Sequence, residues 1–369
     1  MSKPTVVWHR LNEANLRSVI ERAGPDTRWV MDTETDGLEV RGPNSPCTAW
    51  WIGLMPVGGG HCFIVSMDEY IEWGLEAVFE QMLFAGHNLR FDFHALDLLP
   101  CKPWLDTLLP LYYQNTSSRK SMDHIALVYG WPNIKTPALI KQGRIAEVPE
   151  HEVCAYLAND CMVSSLMVQK FGSKQREEDY LTEAAVYRME RRGLRLIPNR
   201  LAEVEREVDR ELIGLETWLM GAEMTRGIWT SPMQVGNWLV KHGRVLPKTK
   251  KTQRPSTNKV TMQRLVDNGD EVVAMLLKHR ATLKLKTSFT SPLARFARDG
   301  ILYPETRTVS TVTGRFSMAG PNLQQIPKRG PVGKAIRRCL TSPDSSGITA
   351  CDYGQVELRV AAAMSKEPI

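Results

Sequence analysis

Two acidic residues two positions apart close an apolar run early in the sequence: Trp29-Val30-Met31 leads into Asp32-Thr33-Glu34. On a strand, residues i and i+2 project to the same side, so Asp32 and Glu34 would present paired carboxylates. Asp92 stands four residues after Asn88, behind the short apolar run Leu83-Phe84-Ala85. Tyr156 and Asp160 have the same four-residue spacing within His151 to Phe171, a stretch predicted to form an amphipathic helix with both on one face. Far downstream, Asp352 follows Ile348-Thr349-Ala350-Cys351, an approach that predicts a buried strand ending in an acid. Carboxylate oxygens are ligands of hard divalent cations, and metal-assisted phosphoryl transfer uses a second carboxylate to hold a cation pair. Beyond Asp352 only Glu357 and Glu367 remain to supply one. Taken singly, each acid could equally be a solvated surface charge, and Asp92 a helix cap.

Positioning these groups requires a sheet with helices against it. Residues from about 27 to 65 alternate strand-like runs with turns, and Val57-Gly58-Gly59-Gly60 predicts a hairpin. Helices are predicted near Tyr70–Met82, Phe91–Leu99 and Met122–Tyr129. The economical reading is an α/β domain, a mixed sheet with flanking helices, ending near Phe171. The charged run Lys174 to Asp179 marks a boundary, followed by an amphipathic helix from Tyr180 to Gly193 and the segment Leu194 to Pro198. Residues 199 to about 296 read as mostly helical, with long helices over Val204–Met220 and Asp270–Phe289 and a start at Ser231-Pro232. Between them, the basic and apolar-poor stretch Lys248 to Lys259, with Lys250 and Lys251, is expected to be a mobile loop.

A chain of 369 residues with 43% hydrophobic content can bury more than one core, so two or three domains are expected. The net charge of +6 suits a polyanionic partner without specifying one. Seven cysteines form no CxxC pair or zinc spacing, and several of them, lying in apolar runs, read as reduced core residues. No stretch has the length of a signal peptide's or membrane span's apolar segment, so a soluble, cytoplasmic protein without membrane contact is expected.

Three ordered runs in the last sixty residues are more specific than any single pattern: Thr313-Gly314-Arg315-Phe316-Ser317, Pro321-Asn322-Leu323-Gln324-Gln325-Ile326-Pro327, and Asp352-Tyr353-Gly354-Gln355-Val356-Glu357-Leu358-Arg359. They resemble the family A (polymerase I type) DNA polymerases, whose pattern runs close to TGRLSS, DPNLQNIP and DYSQIELR in that order. Gly320 and Gly354 stand where the family has Asp and Ser, and neither change removes a group needed to bind metal or phosphate. The upstream DxE, NxxxD and YxxxD elements are similar to those of proofreading 3′–5′ exonucleases of the DEDD type with a tyrosine.

The resemblance implies a ribonuclease H-like exonuclease domain over residues 1–173, a first palm helix over 174–200, a mostly helical thumb over 201–298 and an incomplete α+β palm over 299–369. It implies two Mg²⁺ or Mn²⁺ ions per exonuclease site. Asp32, Glu34 and Asp160 would hold the ion that activates water, Asp32 would bridge to the second, Asp92 would assist through water, and Tyr156 would orient the attacking water. Arg315 would reach acceptors shared by all correct pairs in the minor groove at the primer end. Asn322, Gln324 and Gln325 would make similar or template contacts, and Glu357, next to the motif's Tyr353, would block a ribose 2′-hydroxyl. Lys250 and Lys251 at the thumb tip, with Arg280, Lys284 and Lys286 on the following helix, would contact the DNA backbone, against the plainer alternative of solvated charges.

The family's nucleotide-binding fingers and second palm carboxylate do not fit into Val360 to Ile369. This chain alone is therefore expected to excise 3′ nucleotides from DNA but not to extend a primer. Three settings compete: half of a split polymerase completed by a second polypeptide, a fragment of a complete polymerase, and a non-catalytic DNA-binding scaffold. A bacterial or phage replisome is the implied surrounding.

Overall fold

The structure, a computed structural model, describes residues 5–43, 45–132 and 134–366; Glu367 lies outside them. Six strands, β1 (Val7–Arg10), β2 (Arg28–Thr35), β3 (Ala49–Pro56), β4 (His61–Ser66), β5 (Leu83–Gly86) and β6 (Leu105–Asp106), form one mixed sheet in the order β1-β4-β3-β2-β5-β6. The central strand β2 runs antiparallel to β3 and parallel to β5. The β3–β4 hairpin closes through Val57 to Gly60 as predicted, with Gly59 N donating to Pro56 O at 2.8 Å.

Both faces of β2 are covered, and its two-residue period divides its side chains between two cores. Trp29 and Met31 pack with Phe79, Phe84, Leu89 and Phe93, on the side of the helix Leu89–Ala95. Val30 packs with Leu157, Ala158 and Cys161 of the long helix Glu150–Phe171 on the other side. Fully burying one such large apolar side chain stabilises by about 1.5–3 kcal/mol, so a one-residue slip of β2 would forfeit several at once. The strand's register is thereby fixed, and with it the direction of every acid at its end.

The helix predicted from Tyr70 to Met82 is two helices, Met67–Glu72 and Glu76–Glu80, broken at Gly74, whose φ is 57°. The charged run taken as a boundary partly joins a helix, Glu177–Arg192, because Asp179 accepts from Arg176 N at 3.0 Å and caps its start. Gly193 ends that helix at φ 66°, and a Cβ there would lie 2.7 Å from Leu302 O, so glycine alone fits.

Beyond it come β7 (Leu194–Leu196), β8 (Ile301–Leu302), β9 (Glu305–Arg307), β10 (Ser317–Ala319) and β11 (Leu340–Thr341). They form a small sheet in the order β11-β7-β8 and the antiparallel pair β9–β10. The helix Pro198–Gly221 lays Leu201, Val204 and Val208 against Phe289, Leu293 and Ile336. Its far end belongs to another core of Leu219, Trp229, Trp238, Leu239, Met262 and Leu276. The chain therefore has separate cores, as its length predicts.

Two expectations are corrected. The basic stretch Lys248 to Lys259 closes on itself, Thr249 N donating to Arg254 O at 2.9 Å and Ser256 N to Pro247 O at 2.8 Å. Backbone bonds give it shape without an apolar core. The approach Ile348 to Cys351 is not a strand and Asp352 is not buried: the segment is irregular and exposed. An apolar run becomes a strand only where a partner takes its hydrogen bonds, and no strand among the described residues pairs there. The helix that follows, Val356–Ser365, buries no residue, and Leu358 and Met364 stand 65% and 81% exposed. Cys62, Cys154, Cys161 and Cys339 are free and buried as expected, whereas Cys101 and Cys351 are free and exposed.

Candidate active site

The split of β2 between two faces builds the site. Asp32 and Glu34 continue the Val30 side, which faces the helix Glu150–Phe171, and Asp160 stands on that helix. Carboxylate oxygens of Asp32, Glu34 and Asp160 all lie within 4.8 Å of one another; no other group of three or more ligating side chains is gathered this way among the described residues. Thr33 continues the Met31 side, and Asp92 arrives there from the helix Leu89–Ala95. Its Oδ1 accepts from Thr33 N at 2.9 Å and from Thr33 Oγ1 at 2.7 Å. Tyr156, one turn before Asp160, points its hydroxyl toward Thr136 Oγ1 at 3.1 Å. All five predicted residues line one cleft of about 1260 Å³.

Burial raises the Asp32 carboxyl well above the ordinary range, and Asp92, Asp160 and Glu34 add to the effect. Glu34 is raised the same way, by burial and then by Asp160 and Asp92. Burial pushes Asp92 up to about 7 against the two bonds from Thr33. It pushes Asp160 to about 7 as well, against bonds from Tyr156 and Asn159. Burial also raises the Tyr156 hydroxyl, so it stays protonated and able to donate. Oxygen donors crowded together at this cost to their ionisation fit a hard divalent cation, which would remove the repulsion.

Sequence reading missed what holds Asp92. Asp106, at the end of β6, accepts from Asn88 N at 3.0 Å and Leu89 N at 2.8 Å at the start of the short helix that carries Asp92, and from Leu108 N at 2.9 Å at the start of the next helix. The only sequence hint is an acid after the apolar pair Trp104-Leu105 and before a Thr. One wall of the cleft was missed too: Glu305 to Ser310, from the β9 region, line it together with the acids.

The downstream residues are more scattered. Asp352, Tyr353 and Glu357 are exposed, and Arg315 Nη2 donates to Glu357 Oε1 at 3.1 Å. Asn322 has a buried Oδ1 without a hydrogen-bond partner, while Gln324 and Gln325 are exposed. Lys250, Lys251 and Lys284 are exposed. Lys286 is tied to Asp209 at 2.6 Å, and Arg280, half-buried, donates to Thr257 O at 3.5 Å.

Residues 198–369 match the sequence model of DNA polymerase family A. DNA polymerase I of Pseudomonas aeruginosa is 30% identical over 285 residues, 71% of this chain and 31% of that protein. DNA polymerase I of Synechocystis sp. is 27% identical over 308 residues, 79% of this chain and 30% of that protein. The chain thus spans about a third of the length of these curated relatives. Among solved structures, the POL domain of Pol1 from M. smegmatis, in complex with DNA primer-template and dNTP, has a similar fold. Its TM-score is 0.76 at 19% identity, over 98% of this chain and 63% of that one. No helix of the described residues is long and apolar enough to cross a membrane, and a completing second polypeptide finds no support in these matches. Through residues 198–369, this chain belongs to DNA polymerase family A.

Proposed function

We propose that this chain is the part of a family A DNA polymerase that removes nucleotides from DNA 3′ ends, a divalent-metal 3′–5′ exonuclease joined to a thumb and a first portion of palm. The observation that carries the reading is the meeting of Asp32, Glu34 and Asp160 within 4.8 Å, with Asp92 and Tyr156 in the same cleft. Residues 1–173 would form the exonuclease domain, 174–200 the first palm helix, 201–298 the thumb and 299–369 the palm portion.

Asp32, Glu34 and Asp160 would hold Mg²⁺ or Mn²⁺, with Asp92 beside them; when bound, such ions supply hydroxide at neutral pH and shield the charge that builds on a phosphodiester. The chain's own groups do the rest. Tyr156 keeps its proton and can hold a water by hydrogen bond. Thr33 fixes the Asp92 carboxylate, so that group need not reorganise when substrate arrives.

For the downstream motifs, Arg315 would contact the primer end and Asn322, Gln324 and Gln325 the neighbouring strands, with Tyr353 and Glu357 beside the incoming sugar. Lys250, Lys251 and Lys284 are free to meet phosphates, whereas Arg280 and Lys286 would first have to leave Thr257 and Asp209. Asp352 belongs to no group of three or more ligating side chains among the described residues, so this chain is expected to shorten primers and not to extend them.

The test incubates the protein and its Asp32→Ala variant with a 5′-labelled primer on a longer template, Mg²⁺ and all four dNTPs. Shortening by the parent and not by the variant is expected. Extension by this chain alone would overturn the argument from Asp352, and an unchanged primer would favour a non-catalytic DNA-binding role.

A further inference from the structure

The Thr306–Thr308 wall of the cleft is fastened by buried carboxylates that take no part in the chemistry above, Glu190 foremost. Glu190 lies on the helix Glu177–Arg192 with its side chain 0% exposed. Its Oε2 accepts from Arg90 Nη1 at 2.9 Å and from His94 Nε2 at 3.0 Å. Its Oε1 accepts from the backbone N–H of Thr306 at 2.5 Å. Arg90 and His94 flank Asp92 on its helix, and Thr306 belongs to the Glu305–Ser310 wall, 216 residues from Arg90. Arg90 reinforces the joint: its Nη2 donates to Thr306 O at 3.0 Å and its Nε faces Glu183, which accepts from Thr308 Oγ1 at 2.8 Å.

We propose that Glu190 is a positioning residue that keys the Thr306–Thr308 wall to the helix carrying Asp92 and so sets the width of the cleft that receives a DNA 3′ end. The proposal rests on the exonuclease reading of that cleft. Asp92 itself has independent anchors, Thr33 on one side and the Asp106 cap on the other. Loosening Glu190 therefore releases the wall rather than the acid. Arg90 and the Thr306 N–H can only donate to Glu190, so a carboxamide at this position either turns its NH₂ toward one of them or forces His94 into the tautomer whose Nε2 accepts. In a buried, water-poor joint that mismatch has no solvent to relieve it.

The experiment measures steady-state removal of nucleotides from a 5′-labelled single-stranded oligonucleotide with Mg²⁺, by the full chain and by Glu190→Gln, Thr308→Val and Asp32→Ala. For Glu190→Gln we expect KM to rise about tenfold while kcat stays within about threefold, the signature of a displaced substrate wall. Thr308→Val removes one hydroxyl at nearly constant volume and should move KM the same way by a smaller factor, which keeps the test decisive if Glu190→Gln does not fold. A purely structural role would lower kcat through lost active protein and leave KM unchanged in both variants. That result, with an active parent and an inactive Asp32→Ala, overturns the role of Glu190 and leaves the exonuclease reading standing. If the parent is no more active than Asp32→Ala, the exonuclease reading fails and the positioning role falls with it.

Discussion

Asp92 is bound by the residue between the other two acids: Thr33 donates to its Oδ1 through both its backbone N–H, at 2.9 Å, and its hydroxyl, at 2.7 Å. One strand end thus serves both sides of the sheet. Asp32 and Glu34 turn toward Asp160, and Thr33 reaches the other way to hold the fourth acid in the same cleft. Thr33→Val keeps the shape and the N–H bond but removes the hydroxyl. Groups that orient a metal-site carboxylate typically change activity by about 10- to 100-fold, so excision should fall about tenfold with little change in KM. An unchanged kcat in steady-state digestion of an oligonucleotide would show that Asp92 needs no such hold.

The same four carboxylates make stability depend on pH and metal together. Asp92 and Asp160 sit at about 7 in the folded chain against an ordinary 3.8, raised chiefly by burial. A raised folded value means that the stability these groups contribute is fully present below their unfolded value and is lost as pH rises toward about 7. In EDTA, the melting temperature should therefore fall between about pH 4 and pH 7, and added Mg²⁺ should restore more at pH 8 than at pH 5. Asp160→Asn should melt higher than the parent in EDTA at pH 8 and respond less to Mg²⁺. A lower melting temperature for that variant under those conditions would mean that the carboxylates do not repel one another as the geometry requires.

How much of this was legible in the sequence follows from how far each interaction reaches. Asp32 with Glu34, and Tyr156 with Asp160, are local pairs, and the strand and helix periods alone put each on one face. Asp92 was visible only through its spacing from Asn88. Its helix cap, Asp106, comes from a later strand, and the Arg90–Glu190 and Arg90–Thr306 bonds span 100 and 216 residues. No short-range pattern encodes those partners. Ile348 to Cys351 shows the opposite error: an apolar run was read as a strand, but strands are made by partners, and that segment has none among the described residues. The break at Gly74 was missed because apolar residues continue on either side of it.

Arg315 and Glu357 illustrate a contact that should matter little to the fold. They meet at 3.1 Å with 77% and 74% of their side chains exposed, where solvent screens most of the attraction. Glu357→Ala should leave the urea midpoint where it is, and Arg315→Ala should do the same while weakening the binding of a primer–template duplex. A clear loss of stability in Glu357→Ala would assign the pair a structural task instead.

The basic residues of the helical region divide by whether the fold already uses them. Lys250 and Lys251 are exposed on the closed turn between Pro247 and Ser256, and Lys284 is exposed on its helix. Lys286 already has Asp209 at 2.6 Å. Each phosphate neutralised on duplex DNA steepens the plot of log binding constant against log salt by about 0.9. Replacing Lys250 and Lys251 together by Ala should therefore reduce that slope by about 1–2, whereas Lys286→Ala should hardly change it. The measurement is a fluorescence-anisotropy titration of primer–template at several salt concentrations, with EDTA to prevent digestion. If Lys286→Ala alters the slope and the double variant does not, the DNA path runs along the helix and not over the turn, and the exchange of Asp209 for a phosphate becomes part of binding.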